Sequence, residues 1–248
     1  MKKHLSESQQ NKLVSIKLLI THRLWHSFFG YPKQKINKRD YDEYWSTRFE
    51  EAHSHLAIDD NAKLLVNIIK PDSSVLEIGC GNGRNLYWLK KYRNIKEKGL
   101  DVSNPAVNFA RKNKIDASVC DISKDLEISE KYDYIISIAV LEHIPNPEQV
   151  LEKVKGHFRK NLIIQVPNYG QIFHRLRLLF GKAPLDWWWH PSEHLRHWTI
   201  SDMKWMLTKA NKGKFTYKIE KIYGVGGIPL LNKICKSLFS EDVFYILK

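Results

Sequence analysis

The chain has 248 residues, 43% of them hydrophobic, which is enough for one large domain with a sizeable core. Its net charge of +13 is uneven: residues 1–40 hold nine Lys and Arg against Glu7 and Asp40, residues 203–248 hold nine Lys against Glu220, Glu241 and Asp242, and the stretch between is balanced. No uncharged run reaches the roughly 18 residues of a membrane span, the polar start predicts no signal peptide, and three scattered cysteines give neither a disulfide framework nor a C-x-x-C metal pattern, so a reducing, cytoplasmic setting is expected.

In chain order, Ser6 to Phe29 reads as a helix with Leu13, Ile16, Ile20 and Leu24 on one stripe, ended by Gly30-Tyr31-Pro32. Such a helix suits a membrane surface, a cleft cap or packing on its own domain. Lys33 to Asp40 is a basic linker, with Asp40 placed to cap a helix through Tyr41, Tyr44, Trp45 and Arg48. A further helix, Asp59 to Ile69, leads to Pro71 and the first strand.

That strand, Val75-Leu76-Glu77-Ile78, is followed by Gly79, Gly81 and Gly83 and then by a helical pattern from Arg84. Glycines here allow positive φ and let a ligand approach the backbone, and the helix start adds unpaired N–H groups and partial positive charge. The spacing is G-x-G-x-G, so a nucleotide-type ligand fits, whereas a dinucleotide loop places its third glycine later. Cys80 inside the loop reads as a small side chain, not a nucleophile. A second strand, 96–101, ends on Asp101, 18 residues after Gly83, where an acid accepts ribose hydroxyls. A third strand, 116–120, ends at Asp121, an acceptor for an exocyclic amine.

Strands at 133–138 and 161–166 alternate with helices at 104–113 and 147–158, the pattern of a parallel sheet with crossover helices. Asn168 to Phe180 reads as another helix. Gly181 to Trp198 holds four Trp and three His: Trp187 to Trp189 suit either an acceptor wall or a covered lid, and His190, His194 and His197 are spaced for one helix face but lack further ligands of clear spacing beyond Glu193, so no metal is expected. A helix from 199 to 209 with Ser201 as its cap, a strand at 215–223, a break at Gly224 to Gly227, a helix from Pro229 to Phe239 and an antiparallel last strand, 243–247, complete the chain.

The stretches V-L-E-I-G-C-G-N-G (75–83), G-L-D-V-S (99–103), C-D-I (120–122) and Y-D-Y-I-I-S-I-A-V-L-E-H-I (132–144) resemble the class I S-adenosylmethionine-dependent methyltransferases. V-L-E-H-I-P after the fourth strand is similar to the branch of ubiquinone-type O-methyltransferases and MetW-like proteins. The resemblance implies a Rossmann-like, doubly wound, mostly parallel seven-stranded α/β sheet with an antiparallel last strand, preceded by N-terminal helices. It also implies a domain over 40–248 with a lid insertion at about 168–200, behind the basic segment 1–39.

By that resemblance the Gly79–Gly83 backbone meets the methionine part of S-adenosylmethionine, Asp101 the ribose, Asp121 and Ile122 the adenine, and Ile138, Ala139 and Val140 the amino group and sulfur. Glu77, Cys80 and Val102 join this set. Arg48 is either the partner of the cofactor's carboxylate or part of a surface helix. His143 is the candidate general base, or a packing residue beside the cofactor; Glu142 reads as structural.

The expected activity is O- or N-methylation of a small-molecule, lipid or glycan acceptor, with S-adenosyl-L-homocysteine as product. The basic ends suit peripheral contact with an anionic surface. The alternatives are a MetW-like cofactor-binding partner protein and an RNA or protein methyltransferase. No Asn/Asp-Pro-Pro-Tyr motif is present, so no DNA base target is expected.

Overall fold

The computed structural model describes residues 40–51, 56–184, 187, 193–210, 216–228 and 230–248, with backbone alone at 48–51. The expected helix Ser6–Phe29 and its linker up to residue 39 lie outside them. Asp40 caps α1 (Tyr41–Glu51): its Oδ1 accepts from Asp42 N and Glu43 N at 3.0 and 3.2 Å. Asp59 does the same for α2 (Asp60–Ile68), accepting from Ala62 N at 2.8 Å.

Four βα steps follow, with a third strand passing to the fourth without a helix. They are β1 (Ser74–Ile78), α3 (Arg84–Arg93), β2 (Lys96–Asp101), α4 (Asn104–Lys112), β3 (Ala117–Val119), β4 (Tyr132–Ile138), a 3-10 turn at Leu141–His143, α5 (Pro147–Val154), β5 (Phe158–Pro167) and α6 (Ile172–Leu179). After them come α7 (Ile200–Thr208), β6 (Ile219–Val225), the short α8 (Leu231–Ile234) and α9 (Lys236–Phe239), and β7 (Asp242–Leu247). Among the described residues, α6 and those after it to 187 belong to a separate compact unit, and the rest form the main unit.

The seven strands lie in the order β3-β2-β1-β4-β5-β7-β6. All pairs are parallel except those of β7, which runs antiparallel to both β5 and β6. The mixed sheet with one reversed strand is the expected architecture. Chain order reverses direction between β1 and β4, so the carboxyl ends of these two strands flank a switch point, where open α/β sheets take their ligands.

Alternation along the strands builds a core on each face. Leu76, Ile78, Ile135, Leu162, Ile164, Val243 and Tyr245 point to the side covered by α5 and α7, through Val150, Leu151, Met203 and Leu207. Val75, Tyr134, Ile136, Ile163, Phe244 and Ile246 point to the side covered by α2, α3 and α4, through Leu65, Leu86, Leu89 and Val107.

Several boundaries differ from the sequence reading. The helix expected to run to 158 stops at Val154, and β5 already begins at Phe158. The helix expected from Asn168 starts at Ile172, because Asn168 is a clamp: its Nδ2 donates to Ser237 O and Ser240 O at 3.1 and 3.0 Å. Thr199, not Ser201, caps α7, in a capping box with Asp202. Gly224 lies inside β6, and the helix expected from Pro229 to Phe239 is interrupted at Cys235 into α8 and α9.

Candidate functional site

The glycine loop after β1 is held in place by backbone bonds to β2: Gly79 N and Cys80 N both donate to Leu100 O, at 2.7 and 2.9 Å. Gly79, Gly81 and Gly83 all have positive φ (72, 52 and 76°), a conformation that costs an L side chain about 1 kcal/mol or more. Space adds a second constraint. A Cβ at Gly79 would stand 2.3 Å from Val140 Cγ2, and one at Gly81 would stand 2.5 Å from Trp45 Cζ2. The loop is thus pressed between the end of β4 and α1. Gly79→Ala is expected to lower stability by about 1–3 kcal/mol, read as a shift of the urea midpoint, and to weaken ligand binding by displacing Val140.

Gly83 has no side chain with which to cap α3; Asn82 supplies the acceptor instead, with Oδ1 3.2 Å from Arg84 N. Cys80 is buried, packs against Gly99, and its thiol is pushed well up in pKa by burial, as a filler and not a nucleophile would be.

Glu77 lies in β1, two residues before Gly79, and is 1% exposed. Its Oε1 accepts from Asn85 Nδ2 at 2.7 Å, while Oε2 is buried without a hydrogen-bond partner. Burial outweighs the Asn85 bond and pushes its pKa up to about 8.

Asp101, at the tip of β2, is buried, and burial raises its pKa above the usual carboxylate value. Its Oδ2 accepts from Gly81 N at 2.7 Å and its Oδ1 from Ser103 N at 2.9 Å. These bonds use one lone pair on each oxygen and aim the carboxylate along the glycine loop; the second lone pair of each can still accept from a diol. Val102 beside it is exposed. Asp121, past β3, is held locally by Ser123 and by Lys124 Nζ, 2.8 Å from its Oδ2, and Lys124 first among these keeps its pKa low. Ile122 is buried next to it. Arg48 lies in α1, and its side chain is outside the described residues.

Ile138 closes β4, and Ala139 follows with φ +54°, an exposed non-glycine residue in a strained conformation. The 3-10 turn then presents Glu142 and His143. Glu142 is 1% exposed, neither of its carboxylate oxygens has a hydrogen-bond partner, and burial pushes its pKa up to about 8. Its backbone carbonyl accepts from Leu195 N and Arg196 N at 2.8 and 3.1 Å, which fastens the segment 193–198 across the turn.

His143 Nδ1 lies 2.7 Å from Glu193 O, and the His194 ring is 4.8 Å from the His143 ring between centroids. Tyr169 O–H meets His194 Nδ1 at 2.7 Å, and its ring stands 4.4 Å edge-on from that of His197. Tyr41 of α1 stands edge-on to His143 at 6.5 Å. Aromatic and titratable groups therefore crowd the carboxyl end of β4, next to the glycine loop.

The methionine biosynthesis protein MetW family model matches residues 59–247. The chain belongs to the MetW family. It is 25% identical over 188 residues to the bifunctional methionine biosynthesis protein MetXA/MetW of Rhodopirellula baltica, covering 66% of this chain and 30% of that one. It is 26% identical over 162 residues to the malonyl-[acyl-carrier protein] O-methyltransferase of Anoxybacillus flavithermus, covering 61% and 59%. A solved S-adenosylmethionine-dependent methyltransferase from Archaeoglobus fulgidus superposes with a TM-score of 0.58 at 17% identity, covering 84% of this chain and all of that one, so the fold is of the class I methyltransferase type. The chain spans less than two thirds of the length of both curated relatives.

For this MetW-family chain, the predicted cofactor residues Glu77, Gly79, Cys80, Gly81, Asp101, Ile138, Ala139 and Val140 come together at the ends of β1, β2 and β4; Asp121 and Ile122 lie in the turn just past β3. Trp45 over Gly81, Asn85 on Glu77, and the Tyr169–His194 pair were not assigned from the sequence. Asn85 carried a local signal, a polar residue in the first turn after the loop. Spacing groups His194 with His190 and His197 in the sequence, whereas in the structure it stands with Glu142 and His143. His190 lies outside the described residues, and Trp187 is in the separate unit.

Proposed function

We propose that this chain binds S-adenosylmethionine and transfers its methyl group to a small-molecule, lipid or glycan acceptor. The reading is carried by one observation: the glycine loop, Asp101 and Asp121 stand at consecutive strand ends, and the Gly81–Asp101 bond makes the first two one structure. The residues fit that cofactor. Gly79 and Gly81 hold the loop at positive φ, packed so closely against Val140 and Trp45 that no Cβ fits, Glu77 Oε2 is a buried oxygen without a hydrogen-bond partner among the described residues, and Asp101 retains acceptor capacity for two hydroxyls.

In this reading the loop backbone meets the methionine part and Asp101 the ribose. Asp121, Ile122 and Val102 border the adenine, Ile138 to Val140 surround the methionine end, and Arg48 is the candidate partner of the cofactor's carboxylate. The bound cofactor supplies an activated methyl whose positive charge disappears on transfer. The chain's own residues orient acceptor and methyl in line and exclude water, a large share of such a rate enhancement. His143, at the β4 end, handles the acceptor's proton.

The lysine-rich C-terminal segment supports an acceptor at an anionic surface. Leu230 and Ile234, 71% and 81% exposed, flank Lys233 on the β6–β7 connection. Among the described residues no helix is long and apolar enough to cross a membrane, so contact would be peripheral.

A second reading is favoured by the MetXA/MetW relative, whose name joins two activities in one polypeptide. Here the chain binds the cofactor and acts through a partner protein.

Incubating the purified chain with methyl-labelled S-adenosylmethionine and host extract, then counting lipid, glycan, small-molecule, RNA and protein fractions, tests the two. Label in one of the first three is expected. Label in RNA or protein overturns the acceptor class, and no label with cofactor bound turns the account to the partner reading.

A further inference from the structure

We infer that Glu142, His143 and His194 form a divalent-cation site at the acceptor side of the β4 end. Each offers one ligand atom, and the three atoms lie within 4.8 Å of one another. The inference rests on the methyltransferase reading only for what the cation does, not for its binding.

Three features build the site. First, Glu142 buries a carboxylate whose two oxygens have no hydrogen-bond partner, a costly arrangement that a cation resolves. Second, each imidazole has its Nδ1 engaged from outside the cluster. His143 Nδ1 meets Glu193 O, and since a carbonyl only accepts, Nδ1 carries the proton and Nε2 the lone pair. His194 Nδ1 meets the Tyr169 hydroxyl, and when that hydroxyl accepts, His194 takes the same tautomer. Outer hydrogen bonds of this kind orient metal-binding histidines and raise their basicity. Third, the two segments are already fastened together, because Leu195 N and Arg196 N donate to Glu142 O.

The cluster is wider than a loaded site. Metal bonds of about 2.0–2.2 Å require smaller separations between ligand atoms, and His143 Nε2 stands 4.0 Å from Glu142 Oε1. Loading the site therefore requires the three side chains to draw together.

Two nitrogens and one carboxylate suit zinc, manganese, iron or cobalt and leave coordination positions open. An acceptor oxygen fits there, which makes the acceptor a hydroxyl. A bound cation acidifies that hydroxyl. Its proton passes to water, an oxygen lone pair forms the new O–C bond, the C–S bond breaks, and its electron pair returns to sulfur as the neutral thioether. His143 then acts on the proton through the cation, since Nε2 cannot both ligate the metal and take a proton.

Cobalt(II) titrated into the metal-stripped chain, followed by visible absorption and calorimetry, tests the site. One equivalent per chain is expected, with Glu142→Gln and His194→Ala each weakening it at least about tenfold, and Tyr169→Phe by about tenfold. Substoichiometric binding, or affinity unchanged in both ligand variants, overturns the proposal. S-adenosylmethionine binding, measured on the same samples, reports folding. Wild-type protein that binds the cofactor but no cobalt refutes the cation site alone, and wild-type protein that binds cobalt but no cofactor refutes the methyltransferase reading alone.

Discussion

Replacing Asp101 with alanine is expected to weaken S-adenosylmethionine binding by about 100-fold or more. Two charge-assisted hydrogen bonds to ribose hydroxyls are worth about 1.5–3 kcal/mol each, and 1.4 kcal/mol is a factor of ten. The same change removes the acceptor for Gly81 N and Ser103 N, so the glycine loop loses its tie to β2. Asp101→Asn separates the two contributions. Its one carbonyl oxygen preserves a tie to the loop, but its NH2 group only donates and cannot accept from a diol. Equilibrium dialysis that finds Asn close to wild type would place the ribose elsewhere, whereas Asn close to Ala supports Asp101 as its partner.

Glu77 governs the second large effect, the pH dependence of folding. Its carboxyl has an ordinary value of 4.5 and is pushed up to about 8 in the folded chain. Between those values the folded chain holds a proton that the unfolded chain has released. Its contribution to stability is therefore full below about pH 4.5, declines as pH rises, and levels off above about pH 8. Glu77→Gln keeps the shape and an acceptor for Asn85 but removes the titration. Denaturant melts of both proteins across this range should show the variant gaining on wild type by a few kcal/mol from low to high pH. A difference that stays flat would mean that Glu77 is ionised in its buried position.

The glycine loop and the strand-end acids were legible in the sequence because their chemistry is local. Positive φ, a short apolar strand and an acid at a strand tip each declare themselves within a few residues. The alternation of strands and helices likewise marked a parallel sheet with crossover helices, whereas the seven strands and the reversed last one came with the family resemblance. What escaped depends on contacts between distant segments. Glu142 reads as a structural acid until Leu195 and Arg196 are seen bonded to its carbonyl, and only that pairing moves His194 away from its near neighbours. Asn168 resembles a helix cap, yet its side chain is spent on the carbonyls of α9 and Ser240, so α6 starts later. At α7, Thr199 and Ser201 offer similar hydroxyls two residues apart; Asp202, three residues after Thr199, completes the capping box and decides between them. Trp45 over Gly81 explains why α1 carries aromatic residues, a point the helix sequence left open.

S-adenosylmethionine titrated into the purified chain in a calorimeter is expected to fill one site per chain, at the loop edge built from Gly79, Gly81 and Asp101, and to be competed by S-adenosylhomocysteine. No binding heat at several temperatures, with a folded protein and no displacement of labelled cofactor in dialysis, would contradict it.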